Sequence, residues 1–242
     1  MKLKRGSEIL INREEFESGL EESMKYFGNK SVEEISALIG TDVAQMVGFD
    51  QRNPHHCHNL FTHTLITVDG IANREEKILL IAAFFHDVGK TKVAMEKAGR
   101  LVFYGHATKS SFIAAQVLKD MGYSPEEIEM ITFYVRHHDD FISYALPSDC
   151  RNIRNPYITV INELNIRKYV SQMLDKYPNI FAKQDLRMVM MNLLNLCAAD
   201  IKAQAKYVYM SNVIVDSMEH KLSKINAIRN VMEIVIDAYT EG

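Results

Sequence analysis

Histidine and aspartate stand side by side at His86 and Asp87, directly after the apolar run 78–85 (ILLIAAFF), and Lys90 follows three residues later. That run reads as a helix from about residue 74 to 88 with Gly89 just past its end, which puts Asp87 in the last turn. The backbone carbonyls there already present about half a negative charge. A carboxylate in that position needs a cation, and either Lys90 or a bound metal ion would supply one. Asp200 sets the same problem. Leu186, Val189, Met190, Leu193 and Cys197 share one helix face with it at three-four spacing, so an aspartate closes an otherwise apolar stripe. Burying it is costly unless it is paired or coordinated. Asp200 is therefore a ligand candidate or half of a buried ion pair.

A lone buried histidine or helix-capping aspartate is usually structural. Here the signals accumulate: His63 within THTL on one expected helix, the His86 and Asp87 pair closing the next, and Asp200 on a distant third. Two neutral imidazoles and two carboxylates suit a divalent ion such as Mn, Fe, Co, Ni or Zn, and Mg less well. They leave coordination positions open for water and a substrate oxygen. Eight of the nine histidines lie between residues 55 and 138, a clustering that also asks for a chemical cause. Gly89-Lys90-Thr91 resembles the end of a phosphate-binding loop, but that motif needs glycine where Phe84 stands, and a buried phenylalanine removes the cradle. Lys90 is then a point charge able to bind a phosphoryl oxygen, or simply the counter-charge of Asp87. Cys57, Cys150 and Cys197 are scattered and show no C-x-x-C spacing, so they read as structural thiols.

The elements that must carry these residues are helical throughout. Ser31 with Glu34, and Asn73 with Glu76, read as capping boxes. Ser124-Pro125-Glu126-Glu127 is the clearest helix start, with serine as cap and proline at the first position. Gly40, Gly70, Gly89 and Gly122 each follow a helical stretch, where a left-handed cap is expected. Residues 100–104 form a small extended candidate. Residues 184–209 and 213–239 read as two long helices. There is no repeat, low-complexity tract or linker, so one all-α domain over 1–242 is expected. The longest apolar stretch is far short of the ~20 residues of a membrane span. The N-terminal MKLKRGSEILINREEF has no hydrophobic signal core, and a cytoplasmic protein is the reading. A formal charge of −3 supplies no global field for nucleic acid.

Taken in order, QRNPHHCHNLFTHTL (51–65), AAFFHDVGK (82–90), FYGHATKSSFIAAQVLKDMGYS (103–124), YVRHHD (134–139) and AAD (198–200) resemble the HD-domain superfamily of metal-dependent phosphohydrolases. The likeness is greatest to the HD domain of bacterial tRNA nucleotidyltransferases of the CCA-adding type. It covers about residues 30–140 plus the helix around Asp200, within a core of about 30–140 and 184–210; residues 141–183 have no matching segment. The resemblance implies an all-α HD-domain helical bundle in which His63, His86, Asp87 and Asp200 bind one ion. His106 and His138 would hold a second ion or face substrate. His138 is preferred to His137 because Asp139 follows it, and His56 matches a histidine before the first ligand helix. Asp87 would also orient the attacking water, with Lys90 beside it. The implied activity is hydrolysis of a phosphomonoester or phosphodiester, with a nucleotide, cyclic nucleotide or RNA end as substrate. The alternative is a non-catalytic HD module that keeps metal or nucleotide and acts as a regulator or partner subunit. The nucleotide-transferring head and its Asp-x-Asp pair are lacking, so nucleotide addition is not expected. Tyr104, Tyr134 and Tyr144 are candidates for stacking on a base or for core packing.

Overall fold

A computed structural model describes residues 11–152, 156–210 and 213–240. Among the described residues four short helices come first: α1 (Arg13–Glu21), α2 (Ser23–Phe27), α3 (Val32–Leu38) and α4 (Thr41–Ala44). The middle is built from α5 (Leu60–Asp69), α6 (Lys77–Phe85), α7 (Lys90–Val93), the strands β1 (Met95–Lys97) and β2 (Arg100–Val102), α8 (His106–Asp120) and α9 (Pro125–His137). Then come β3 (Tyr144–Ala145), β4 (Thr159–Val160), α10 (Glu163–Lys176), α11 (Pro178–Phe181) and α12 (Leu186–Lys202). The hairpin β5 (Tyr207–Met210) and β6 (Val213–Asp216) leads into α13 (Ser217–Thr240).

Helix α6 is the axis of the bundle. Seven of its nine residues are buried, and α1, α5, α8, α9 and α12 all pack on it. An all-round apolar helix can be satisfied only in that position. Phe84 sits edge-on to Phe16 of α1 at 5.2 Å and tilted against Phe27 of α2 at 5.4 Å, so the leading helices are fastened to the axis by aromatic contacts. Tyr134 and Tyr144 belong to this core, whereas Tyr104 is 65% exposed.

The helical expectation holds for the body, with three two-stranded pairs added to it among the described residues. The extended piece expected at 100–104 is β2, paired antiparallel with β1. The capping boxes at Ser31 and Ser124 are both closed, the second with Pro125 at its first position. The box expected at Asn73 is not formed. Its side chain accepts from the Glu75 amide, a local turn that competes with capping, and α6 starts only at Lys77. At its other end α6 stops at Phe85, so His86 is the cap and Asp87 lies beyond the helix.

The helix expected over 184–209 ends at Lys202, because the backbone past it is committed elsewhere. The Ala203 carbonyl accepts from His63 Nδ1 and the Ala205 amide donates to the His55 carbonyl. The aromatic and β-branched residues that follow pair as β5 and β6, as their strand preference favours. The next helix accordingly begins at Ser217 rather than 213, capped by Asp216 through the Glu219 amide. Gly40 and Gly122 adopt the left-handed backbone (φ 114° and 83°), but Gly70 and Gly89 are right-handed at −77° and −72°. The three cysteines are free thiols. Among the described residues no helix is long and apolar enough to cross a membrane.

Candidate metal centre

Each histidine of the candidate centre is set by a helix end or a helix face. Asn59 caps α5 through the Thr62 amide and places His63 one turn in, facing the core. His86 ends α6, and the chain then turns tightly, with the Lys90 amide donating to the Asp87 carbonyl. Gly89 lies flat against α8: its amide donates to Ser110 Oγ at 2.8 Å. A Cβ there would come within 2.5 Å of the Ser110 nitrogen and 2.6 Å of the His106 carbonyl oxygen. That absence of a side chain is what lets the Asp87 turn sit against the start of α8, where Gly105 at φ 75° admits His106. His138 caps α9, and Asp200 arrives from α12.

The four rings share one arrangement. Nδ1 of His63 lies 3.2 Å from the Ala203 carbonyl, His86 2.7 Å from Ala83, His106 2.9 Å from Phe103 and His138 2.7 Å from Val135. A carbonyl oxygen only accepts, so every Nδ1 carries its proton and every neutral Nε2 is a bare lone pair. Those lone pairs converge on carboxylate oxygens. His63 Nε2 is 2.9 Å from Asp200 Oδ1 and 3.5 Å from Asp87 Oδ2; His86 Nε2 is 3.2 Å from Asp87 Oδ2. On the other oxygen, His106 Nε2 is 3.1 Å and His138 Nε2 3.6 Å from Asp87 Oδ1. Acceptors facing acceptors in a dry interior repel unless a cation stands between them. His63 Nε2, His86 Nε2, Asp87 Oδ1 and Asp200 Oδ1 are indeed buried without a hydrogen-bond partner.

Two groups of donors result, joined at Asp87: His63, His86, Asp87 and Asp200, and Asp87, His106 and His138. Donor atoms within each group lie no more than 4.8 Å apart, close to twice a metal–ligand bond of roughly 2.0–2.2 Å. Imidazole and carboxylate are the donors that first-row divalent ions take, so the residues fit such an ion.

In the ion-free protein, protons substitute for it. Burial would depress His63 and His86, but the adjoining Asp200 and Asp87 carboxylates outweigh it and raise both to about 9. Burial would likewise raise the Asp87 and Asp200 carboxyls, yet the surrounding cations hold both well below the usual range. Lys90 Nζ stands 2.6 Å from Asp87 Oδ2 and donates to Gln51 Oε1 at 3.1 Å. His56 packs edge-on against His63 at 5.1 Å. Burial and the neighbouring Lys90 and His63 lower its pKa to about 3, and its Nδ1 is unpartnered.

Of the histidine pair, His138 faces Asp87, while His137 is spent on Asp140 at 2.6 Å and Tyr177 at 2.7 Å. Three polar neighbours lie outside the site residues that the sequence indicates. Asp139 Oδ2 lies 3.1 Å from His106 Nε2, Gln51 holds Lys90, and Gln204 Nε2 donates to Asp200 Oδ2 at 3.2 Å. Asp139 carries a signal in following His138 directly, whereas the two glutamines carry none.

A helical bundle closed around a buried histidine and aspartate cluster defines the class of the protein. A family model described as the HD domain matches residues 30–175, more than half the chain, and the chain belongs to that family, within the superfamily of metal-dependent phosphohydrolases. The match ends before Asp200. Among the curated proteins no match was found.

Proposed function

We propose that the cluster is the active centre of a metal-dependent phosphohydrolase acting on a phosphomonoester or phosphodiester, with a nucleotide, cyclic nucleotide or RNA end as substrate. One observation carries this reading: Nε2 of His63 and His86 and Oδ1 of Asp87 and Asp200 converge in a buried space with no hydrogen-bond partner, close enough together to share one ion. His63, His86, Asp87 and Asp200 would hold one divalent ion, with Mn, Fe, Co, Ni, Zn and Mg as the candidates. Such an ion, when bound, acidifies water and neutralises charge on phosphoryl oxygens.

The protein's own groups divide the rest of the work. Asp87 offers its second oxygen to the His106 and His138 side, where it would orient the attacking water, and those two histidines would take a second ion or meet substrate. Lys90, fixed by Asp87 and Gln51, adds a positive charge for a phosphoryl oxygen. His56, kept neutral by burial, is available to hydrogen-bond a substrate oxygen. The kinship proposed to the HD domain of CCA-adding-type tRNA nucleotidyltransferases rests on the five ordered segments. It does not carry over nucleotide addition, and it accords with a helical unit at work in the cytoplasm.

The test is metal analysis of gently purified protein followed by hydrolysis of nucleoside monophosphates, 2′,3′-cyclic nucleotides and bis-p-nitrophenyl phosphate with Mn, Ni, Co and Mg. Turnover of at least one ester, abolished by chelation and restored by an ion, is expected. Stoichiometric metal with no turnover on any of them would instead favour a binding module.

A further inference from the structure

A cavity of about 140 Å³ adjoins the metal centre on the side of α13, a helix lying wholly outside the family match. His138, Asp139 and Asp200 line it together with Lys221 and Lys224, and Phe141, Ile142, Ile201 and Ile225 supply apolar wall. Whole ligand pockets run to roughly 300–1,000 Å³, so this space suits one end of a substrate rather than all of it.

The lysines are the unexplained part. Lys221 Nζ donates to Gln204 Oε1 at 2.6 Å and stands 3.5 Å from His55 Nδ1, while Lys224 Nζ donates to the Ile142 carbonyl at 3.2 Å. Every partner is neutral, and among the described residues neither ammonium forms an ion pair. They sit three residues apart on one helix, where like charges repel. Burial lowers both pKa values, and for Lys221 the pull of Asp200 upward is set against the push of Lys224 downward. Two half-buried, adjacent cations with no described carboxylate in contact, drawn on only at longer range by Asp200, Asp139 and Asp149, stand beside the metal centre and suit an anion. The apolar part of the lining gives room for an uncharged spacer.

We propose that Lys221 and Lys224 hold a second anionic group of the substrate, so that the protein selects phosphoesters bearing two separated negative groups over those bearing only the reacting one. This rests on the phosphohydrolase reading for which end of the ligand meets the metal centre. The two lysines act on binding and on selection, and Lys221, through Gln204, also supports the orientation of Asp200.

The experiment compares adenosine 5′-monophosphate with adenosine 3′,5′-bisphosphate on manganese-reconstituted full-length protein, as wild type, Lys224→Met, Lys224→Arg and Lys221→Met. Affinity is read as inhibition of p-nitrophenyl phosphate hydrolysis or, where nothing is hydrolysed, as Kd by calorimetry; metal content and melting temperature are recorded for each variant. Wild type should prefer the bisphosphate by at least roughly 10-fold, the scale of one charge-assisted hydrogen bond. Either methionine variant should lose most of that preference, and Lys224→Arg should retain it. Equal affinity for the two ligands in wild type, or a preference that survives both methionine substitutions, would overturn the proposal. Preference without any hydrolysis would leave the anion subsite standing and remove the phosphohydrolase reading; hydrolysis without preference would do the reverse.

Discussion

Asp87 is the residue on which both donor groups depend, because its two oxygens face different histidines. Its protonation partners give the centre a definite pH behaviour. In the ion-free protein His63 and His86 are raised from 6.5 to about 9, so their pairing with the carboxylates stabilises the fold fully below about pH 6.5 and is lost as pH rises through 9. Chelated protein should therefore melt at a lower temperature at pH 9 than at pH 6.5 in a scanning calorimeter, and loading the ion should flatten that difference. An ion at pH 7 must displace the same protons. Calorimetric titration of the chelated protein with manganese, in buffers of different ionisation enthalpy, should show release of about two protons per ion, with affinity weakening as pH falls.

At the scale of elements, the turn between α6 and α8 is the part most sensitive to a single methyl group. Gly89→Ala would press a Cβ into the backbone of His106 and Ser110. The expected cost is about 1–3 kcal/mol, which at roughly 2–4 °C per kcal/mol for a chain of this size is a clear drop in melting temperature, with weaker metal binding as His106 is displaced. Thermal melts and metal titration of the variant check both. The sequence predicts a glycine here for a left-handed cap; the structural reason is close approach, which no local pattern reveals. Local chemistry did make the Ser31 and Ser124 helix starts legible, because a cap and its reciprocal glutamate lie three residues apart. The Asn73 box failed because asparagine can satisfy a nearer amide, and the end of α12 failed because the His63 and His55 contacts that stop it come from more than a hundred residues away. The hairpin strands resemble helix in the sequence because their apolar residues also fit a helical stripe, and nothing local marks the stop.

At the scale of the whole molecule, the candidate centre gathers side chains from α5, the end of α6, α8, α9 and α12. Histidine and aspartate could be singled out from sequence because their burial is costly and so informative. Gln51, Gln204, Lys221 and Lys224 could not, since a glutamine or lysine is unremarked on a surface and acquires meaning only when packing brings it to the site. An ion held by such distant segments ties the fold together. Adding manganese to a hundred times its Kd should stabilise the chelated protein by about 2.7 kcal/mol, raising its melting temperature by roughly 5–10 °C; no shift would show that the donors do not hold an ion. The most direct test of the proposed chemistry compares bis-p-nitrophenyl phosphate hydrolysis by manganese-reconstituted wild type and Asp87→Asn, a variant that keeps the shape of the side chain. A loss of at least roughly 100-fold, the scale of one removed catalytic group, is expected in Asp87→Asn; wild-type hydrolysis persisting in that variant would contradict the assignment of the active centre.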